Sequence, residues 1–295
     1  MIDNDEHTAR TLASYLEDTV PCKADPTTDP NRAINAAAGH SYAVYITDLR
    51  MPVRDGLTLL AELKARSPTC EVVVVTKYPE LGSAKNAMRI GAFDYCGLGD
   101  DGMEAIADAV RHALRRRPSS RAPGFHREHL IDFFHSRLGT PPEEGKGLLP
   151  QGLALEYLTK LLLDSCTGFK TDVMRAKSRT EEIDLVCVND SQHPVWKREG
   201  SLILVECKDK GSTRPGANER SRFETKVAAR HPYSTVGIFV SASGFAKTFH
   251  EPVTHGSNVP TIIRIDKNDI DQWITADDRM QWLTDHAVAH MIQRR

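Results

Sequence analysis

The chain opens with a repeated alternation of apolar runs and helical periods. SYAVYITDL (41–49) and EVVVVT (71–76) are apolar stretches of strand length. ARTLASYLED (9–18), GLTLLAELKAR (56–66), LGSAKNAMRIG (81–91) and MEAIADAVRHALRRR (103–117) carry apolar residues at helical spacing. Strands alternating with helices predict a doubly wound parallel sheet with helices on both faces. RRRPSSRAPG (115–124) breaks the pattern, and LGTPPEEGKGLLPQG (138–152) breaks it again. Between them HREHLIDFFHSRL (126–138) reads as a connecting helix. The expected organisation is a first domain over 1–117, a linker with a helix over 118–148, and a second domain over 149–295.

The second domain has a different pattern. GLALEYLTKLLLDS (152–165) predicts a helix, and EIDLVCV (182–188) and SLILVEC (201–207) predict strands. The segment joining them, NDSQHPVWKREG (189–200), reads as a polar, turn-rich hairpin. ERSRFETKVAARH (219–231) predicts a helix with a basic face, and TVGIFVSAS (235–243) and PTIIRID (260–266) two further strands before C-terminal helices. This order frames an α/β domain with a mixed sheet and flanking helices.

Composition narrows the picture only a little. In 295 residues the hydrophobic share is 40% and the charged share 26%, as in a water-soluble globular protein. A net charge of -2 excludes a generally basic nucleic-acid coat but leaves room for a local basic groove. The six cysteines are scattered without a CxxC pair, which predicts free thiols in a reducing compartment and argues against a zinc cluster. No basic-then-apolar leader and no run approaching a membrane span is visible, so the expected location is the cytoplasm, with no membrane partner.

Candidate chemistry gathers at two places. In the first domain Asp48 ends its strand, on the side where open parallel sheets carry their functional face. Asp3, Asp5 and Glu6 fall at a strand-to-helix turn near the N-terminus, and acids sharing one cleft favour a hard cation such as Mg2+. With charge neutralised in that way, Asp48 is placed to accept a phosphoryl group. DNDEHTAR, YITDLRMPVRDG, VVVVTKY and GAFDY, in this order over about residues 1–117, resemble the receiver domain of bacterial response regulators. The resemblance implies a flavodoxin-like fold, phosphorylation of Asp48, Mg2+ held by Asp5 and Asp48 with Asn4 in the other acidic position, and Thr76 as the switch residue. It also implies a sensor histidine kinase as partner. Three departures stand out: Leu98 where the family carries a lysine, Asn4 for an acid, and a first strand clipped before Asp3.

In the second domain, Asp184 and Glu206 lie on strands expected to pair, and hairpin partners are about 5 Å apart. Lys208 returns to the face of Glu206, because side chains alternate with period two. Two oxygen ligands suit Mg2+ or Mn2+, and a lysine beside them can orient or deprotonate a water. Glu156, on the preceding helix, is positioned to add a carboxylate, and Cys207 to offer its backbone carbonyl. A lone Asp…Glu-x-Lys pattern arises by chance. The frame of GLALEYL helix, IDLV strand, LILVECK strand, basic helix and GIFVSASGF strand over about 149–265 makes it specific.

That arrangement resembles the PD-(D/E)xK nuclease superfamily, in its Mrr-like restriction endonuclease branch. It implies a restriction-endonuclease-like fold, Glu156 as the helix acid, Asp184 and Glu206 as metal ligands, and Lys208 as catalytic base. Ile183 stands where the superfamily has proline. Lys210, Arg214, Arg220, Arg222 and Lys226 follow at a density suited to tracking DNA phosphates. The combined expectation is a receiver controlling a homodimeric, metal-dependent endodeoxyribonuclease. The competing class is a non-catalytic adaptor with a pseudo-receiver and an inactivated nuclease fold.

Overall fold

The computed structural model describes all residues except 40–41, 53, 100–101, 116–122, 140–151, 178–181, 210–212, 251–258 and 293–295. Lys210 therefore lies outside the described residues, as do parts of both expected domain boundaries. The described chain falls into two compact units, one up to Phe133 and one from Phe134 onward. Among the described residues, no helix is long and apolar enough to cross a membrane.

In the first unit, β1 (Val44–Asp48), β2 (Glu71–Thr76) and β3 (Asp94–Gly97) form a parallel sheet in the order β1-β2-β3. Helices α1 (Glu6–Thr19), α2 (Pro30–Ala38), α3 (Gly56–Arg66), α4 (Leu81–Ile90) and α5 (Gly102–Arg115) surround it. The four valines of β2 are fully buried, as expected of a strand covered on both faces. On one face Leu12 and Leu16 of α1 and Ile106 and Val110 of α5 pack with Ile46, Val73 and Val75. α3 packs against β1 and β2, burying Leu59, Leu60 and Leu63 completely. Ahead of α1, Ile2 bridges Thr27 and Thr47, both in parallel sense.

Side-chain caps fix where these helices begin. Asp5 accepts the His7 N–H at the start of α1, Asp29 the Asn31 N–H at α2, and Asp55 the Thr58 N–H at α3. Gly56 begins α3 so close to the end of β1 that a Cβ would sit 2.3 Å from the Asp48 carbonyl oxygen. Glycine is required there by proximity.

In the second unit, β4 (Phe169–Lys177), β5 (Glu182–Asn189), β6 (Leu202–Lys208), β7 (Val236–Ser241) and β8 (Thr261–Asp266) make a mixed sheet in sequence order. β4–β5–β6 run antiparallel and β6–β7–β8 parallel. β4 adds a strand that the hydrophobic pattern did not reveal. α6 (Pro123–His135) precedes this sheet in the chain, and α7 (Leu153–Leu163) is buried along its length. α8 (Ala217–Ala228) packs Phe223 edge-on against Phe239 of β7. α9 (Lys267–Thr275) and α10 (Arg279–Ile292) close the chain, with Trp273 and Trp282 stacked at 5.6 Å.

The segment joining β5 to β6 is more than a polar turn. Trp196 within it is fully buried, and its indole N–H donates to Thr284 Oγ1 of α10 at 2.8 Å. Asn189 Nδ2 donates to the carbonyls of Trp196 (2.8 Å) and Gly200 (3.1 Å), closing the loop on itself.

Candidate functional sites

In the first unit Asp48 ends β1 beside Asp3, and both carboxyls are held above their ordinary pKa, chiefly by burial. The charge of Asp3 adds to the shift at Asp48, while Lys77 opposes it. Asp3 is only 5% exposed and accepts the Asp5 N–H at 2.8 Å. Asp5 was the expected metal ligand, but its carboxylate turns onto the start of α1, accepting the His7 N–H (3.1 Å) and the Thr8 hydroxyl (2.6 Å). Those bonds hold its pKa below the usual range. Asp3 is thus the acid placed against Asp48, and Asn4 is exposed.

Thr76 is buried at the end of β2, where its Oγ1 accepts the Tyr78 N–H at 3.2 Å and its carbonyl accepts the Leu98 N–H at 2.8 Å. Leu98 packs against the core of α1 and α5 and brings no charge. The cation whose field reaches Asp3, Asp5 and Asp48 is Lys77, directly after Thr76.

In the second unit, the β5–β6 register pairs Leu185 with Val205, which carries Asp184 opposite Glu206 on one face. Asp184 Oδ2 accepts the Cys207 N–H at 2.7 Å. Burial, and then the charge of Glu206, push the Asp184 carboxyl up to about 6. Glu206 is held from both sides, with Lys208 Nζ 2.5 Å from Oε1 and Lys226 Nζ 3.0 Å from Oε2. Lys226 also donates to the Glu182 carbonyl at 2.7 Å. Burial disfavours the Lys208 ammonium, but the charge and hydrogen bond of Glu206 outweigh it and set its pKa above the ordinary value. Lys208 thus faces Glu206 as a charged donor.

Other expected site residues separate. Glu156 is buried on α7 and is gripped by Arg175 of β4, Nε to Oε2 at 2.9 Å and Nη2 to Oε1 at 3.0 Å. Its charge still reaches Asp184. Arg175, which the sequence reading missed, takes φ 55°, unusual for a side-chain-bearing residue. The Cys207 thiol points to the far face, where Sγ meets Thr159 Oγ1 at 3.7 Å. The Cys207 carbonyl shares the strand edge of its N–H, toward Asp184.

The expected phosphate-tracking face also divides. Arg222 and Lys226 line a cleft with Glu206, Lys208, Thr213 and Phe223, and Arg214 is exposed. Arg220 turns inward instead, donating to Glu224 Oε1 and to the Phe249 carbonyl, both at 2.7 Å. Lys226 belongs to the carboxylate cluster rather than to an outer phosphate track. Ser241 and Ser243 spend their hydroxyls on the carbonyls of Gly244 (2.8 Å) and Thr213 (3.0 Å). Among the described residues, no three His, Cys, Asp or Glu side chains stand close enough to form a metal cage by themselves. Any cation here would rest on Asp184 and Glu206 together with carbonyl, water or substrate oxygens, the donor set that Mg2+ and Mn2+ accept.

Residues 1–96 match the family model of the response regulator receiver domain. The DNA-binding transcriptional regulator NtrC of Salmonella typhimurium is 39% identical over 93 residues, which are 32% of this chain and 20% of that protein. The photosynthetic apparatus regulatory protein RegA of Cereibacter sphaeroides is 33% identical over 129 residues, 42% of this chain and 64% of that protein. A receiver domain structure from Clostridium thermocellum aligns over 39% of this chain and 91% of its own, at 25% identity and a TM-score of 0.36. The chain spans about a fifth of the NtrC proteins it matches. Its N-terminal part is a response regulator receiver domain.

Proposed function

We propose that this receiver domain, phosphorylated at Asp48 by a sensor kinase, controls a C-terminal unit that hydrolyses DNA phosphodiester bonds. The observation that carries the second half is the strand register that sets Asp184 opposite Glu206, with Lys208 against the Glu206 carboxylate. Burial, and then the charge of Glu206, raise the Asp184 carboxyl, and a bound cation would offset both. A bound Mg2+ or Mn2+ would acidify water and neutralise charge on the phosphodiester. Asp184 and Glu206 would hold it.

The chain's own residues then divide the remaining work. Lys208, as an ammonium, orients water or the scissile phosphate rather than removing a proton. Arg222, on the wall of the same cleft, places the phosphate backbone. A homodimer would present two such sites related by symmetry, which suits cutting both strands.

The test incubates plasmid DNA with the full chain and Mg2+ or Mn2+, and repeats it with Asp184→Asn and Lys208→Met. Cleavage by the wild type, lost in both variants, is expected. A second reading, a non-catalytic DNA-binding adaptor, is favoured by one observation: both oxygens of Glu206 are held by lysines. Cleavage absent on methylated, unmethylated and branched DNA, with binding retained, would establish that reading instead.

A further inference from the structure

The Lys226 ammonium stands among the kinds of oxygen that a metal ion would use. Its Nζ donates to Glu206 Oε2 at 3.0 Å and to the main-chain carbonyl of Glu182 at 2.7 Å. A carboxylate oxygen and a backbone carbonyl are ligand types that hard divalent cations take. The other oxygen of Glu206 is paired with Lys208 Nζ at 2.5 Å. Glu206 itself is buried, so both contacts are weakly screened by salt and water.

With both carboxylates ionised, the charges of the cluster already balance. Asp184 and Glu206 oppose Lys208 and Lys226, and Glu156 is matched by Arg175. Glu219 and Arg222 add one charge of each sign farther along the cleft. A divalent cation entering alone must dislodge an ammonium and leaves an excess of positive charge away from bulk water. A phosphodiester reduces that excess and gives the dislodged ammonium a new anion. Lys226 is the ammonium placed to move, because it reaches in from α8, whereas Lys208 sits on the same strand as Glu206. Arg222, exposed and one turn earlier on α8, lies on the same helix face. A backbone drawn to Arg222 therefore passes beside Lys226.

We propose that Lys226 is a latch on this site, held on Glu206 in the free protein and drawn off it by the phosphate backbone of DNA. The assignment rests on reading Asp184 and Glu206 as the holders of a divalent cation in a DNA-binding cleft. With the latch closed, the ammonium competes for Glu206 Oε2; with DNA in the cleft, that oxygen is open. Cation and DNA then tighten each other's binding by the same factor. Two lysines on Glu206 mark the resting state of the site.

The test titrates Mn2+ into the full chain, alone and saturated with a short duplex DNA, and reads free Mn2+ by electron paramagnetic resonance. A titration of the duplex alone is subtracted. DNA is expected to tighten Mn2+ binding to the wild type about tenfold or more. Lys226→Met should bind Mn2+ about fivefold tighter than the wild type without DNA. With DNA the two should bind alike, because the latch is already off. Wild-type affinity unchanged by DNA, or a Lys226→Met advantage that persists with DNA, would overturn the latch and leave the cation site standing. Mn2+ binding unaltered by Asp184→Asn would instead remove the site and the latch with it.

Discussion

Asp184 Oδ2 accepts the Cys207 N–H at 2.7 Å, which fastens a carboxylate of β5 to the backbone of β6 beside Glu206. The folded chain raises this carboxyl from 3.8 to about 6, so folding favours its protonated form. Its stabilising contribution is present below pH 3.8 and is lost as pH rises through 6. Asp184→Asn keeps an acceptor for the Cys207 N–H and removes the charge. It should stabilise the C-terminal unit by roughly 2 kcal/mol above pH 7 and have little effect near pH 4, as read by urea unfolding. Equal stability of the two proteins at both pH values would contradict the burial argument.

Glu206 shares its two oxygens between Lys208 and Lys226, so any cation arriving there competes with ammonium groups. Lys226→Met frees Oε2 and should tighten Mn2+ binding about fivefold, equivalent to ~1 kcal/mol. Calorimetric titration of the full chain measures it, with Asp184→Asn as the non-binding control. An unchanged affinity would show that Lys226 is not a competitor.

The Glu156–Arg175 pair makes a stability prediction. Arg175→Ala leaves a carboxylate only 7% exposed without its bidentate partner and should cost about 2–3 kcal/mol. Adding Glu156→Leu should recover most of that loss, because the buried charge goes with its partner. Thermal denaturation of both variants checks it, and a double variant no more stable than Arg175→Ala would be the contrary result.

At the receiver, Asp48→Asn should abolish phosphoryl incorporation from acetyl phosphate. Leu98→Lys places a cation just past the end of β3 and should raise incorporation about tenfold, at a cost of ~1 kcal/mol for disturbing a partly buried leucine. Mobility on phosphate-binding gels reads both. Labelling that persists in Asp48→Asn would place the acceptor elsewhere.

Much of the scaffold was legible because its signals are local. GLTLLAELKAR is α3 from end to end, and EVVVVT is β2. β4 escaped because a register irregularity between Thr171 and Val173 and the positive φ of Arg175 break the period-two pattern. α2 was legible too, since Ala33, Ile34 and Ala37 recur at helical spacing behind Asp29-Pro30, a capping acid followed by proline. The pairing of Asp184 with Glu206 follows from strand register and could be read. Lys226 reaching Glu206, and Arg175 reaching Glu156, depend on how α8 and β4 approach their neighbours, which no spacing in the sequence encodes. Asp3 rather than Asp5 beside Asp48 turned on the cap of α1, a choice made by one backbone turn.

Trp196 gives the second unit a built-in reporter. Its indole is buried in the loop between the two strands that carry Asp184 and Glu206, and is hydrogen-bonded to Thr284 of the last helix. Any ligand that slides β6 along β5 must tug on this loop and strain or break that bond. The emission of Trp196, isolated by replacing Trp273 and Trp282 with phenylalanine, would then register occupancy without a label.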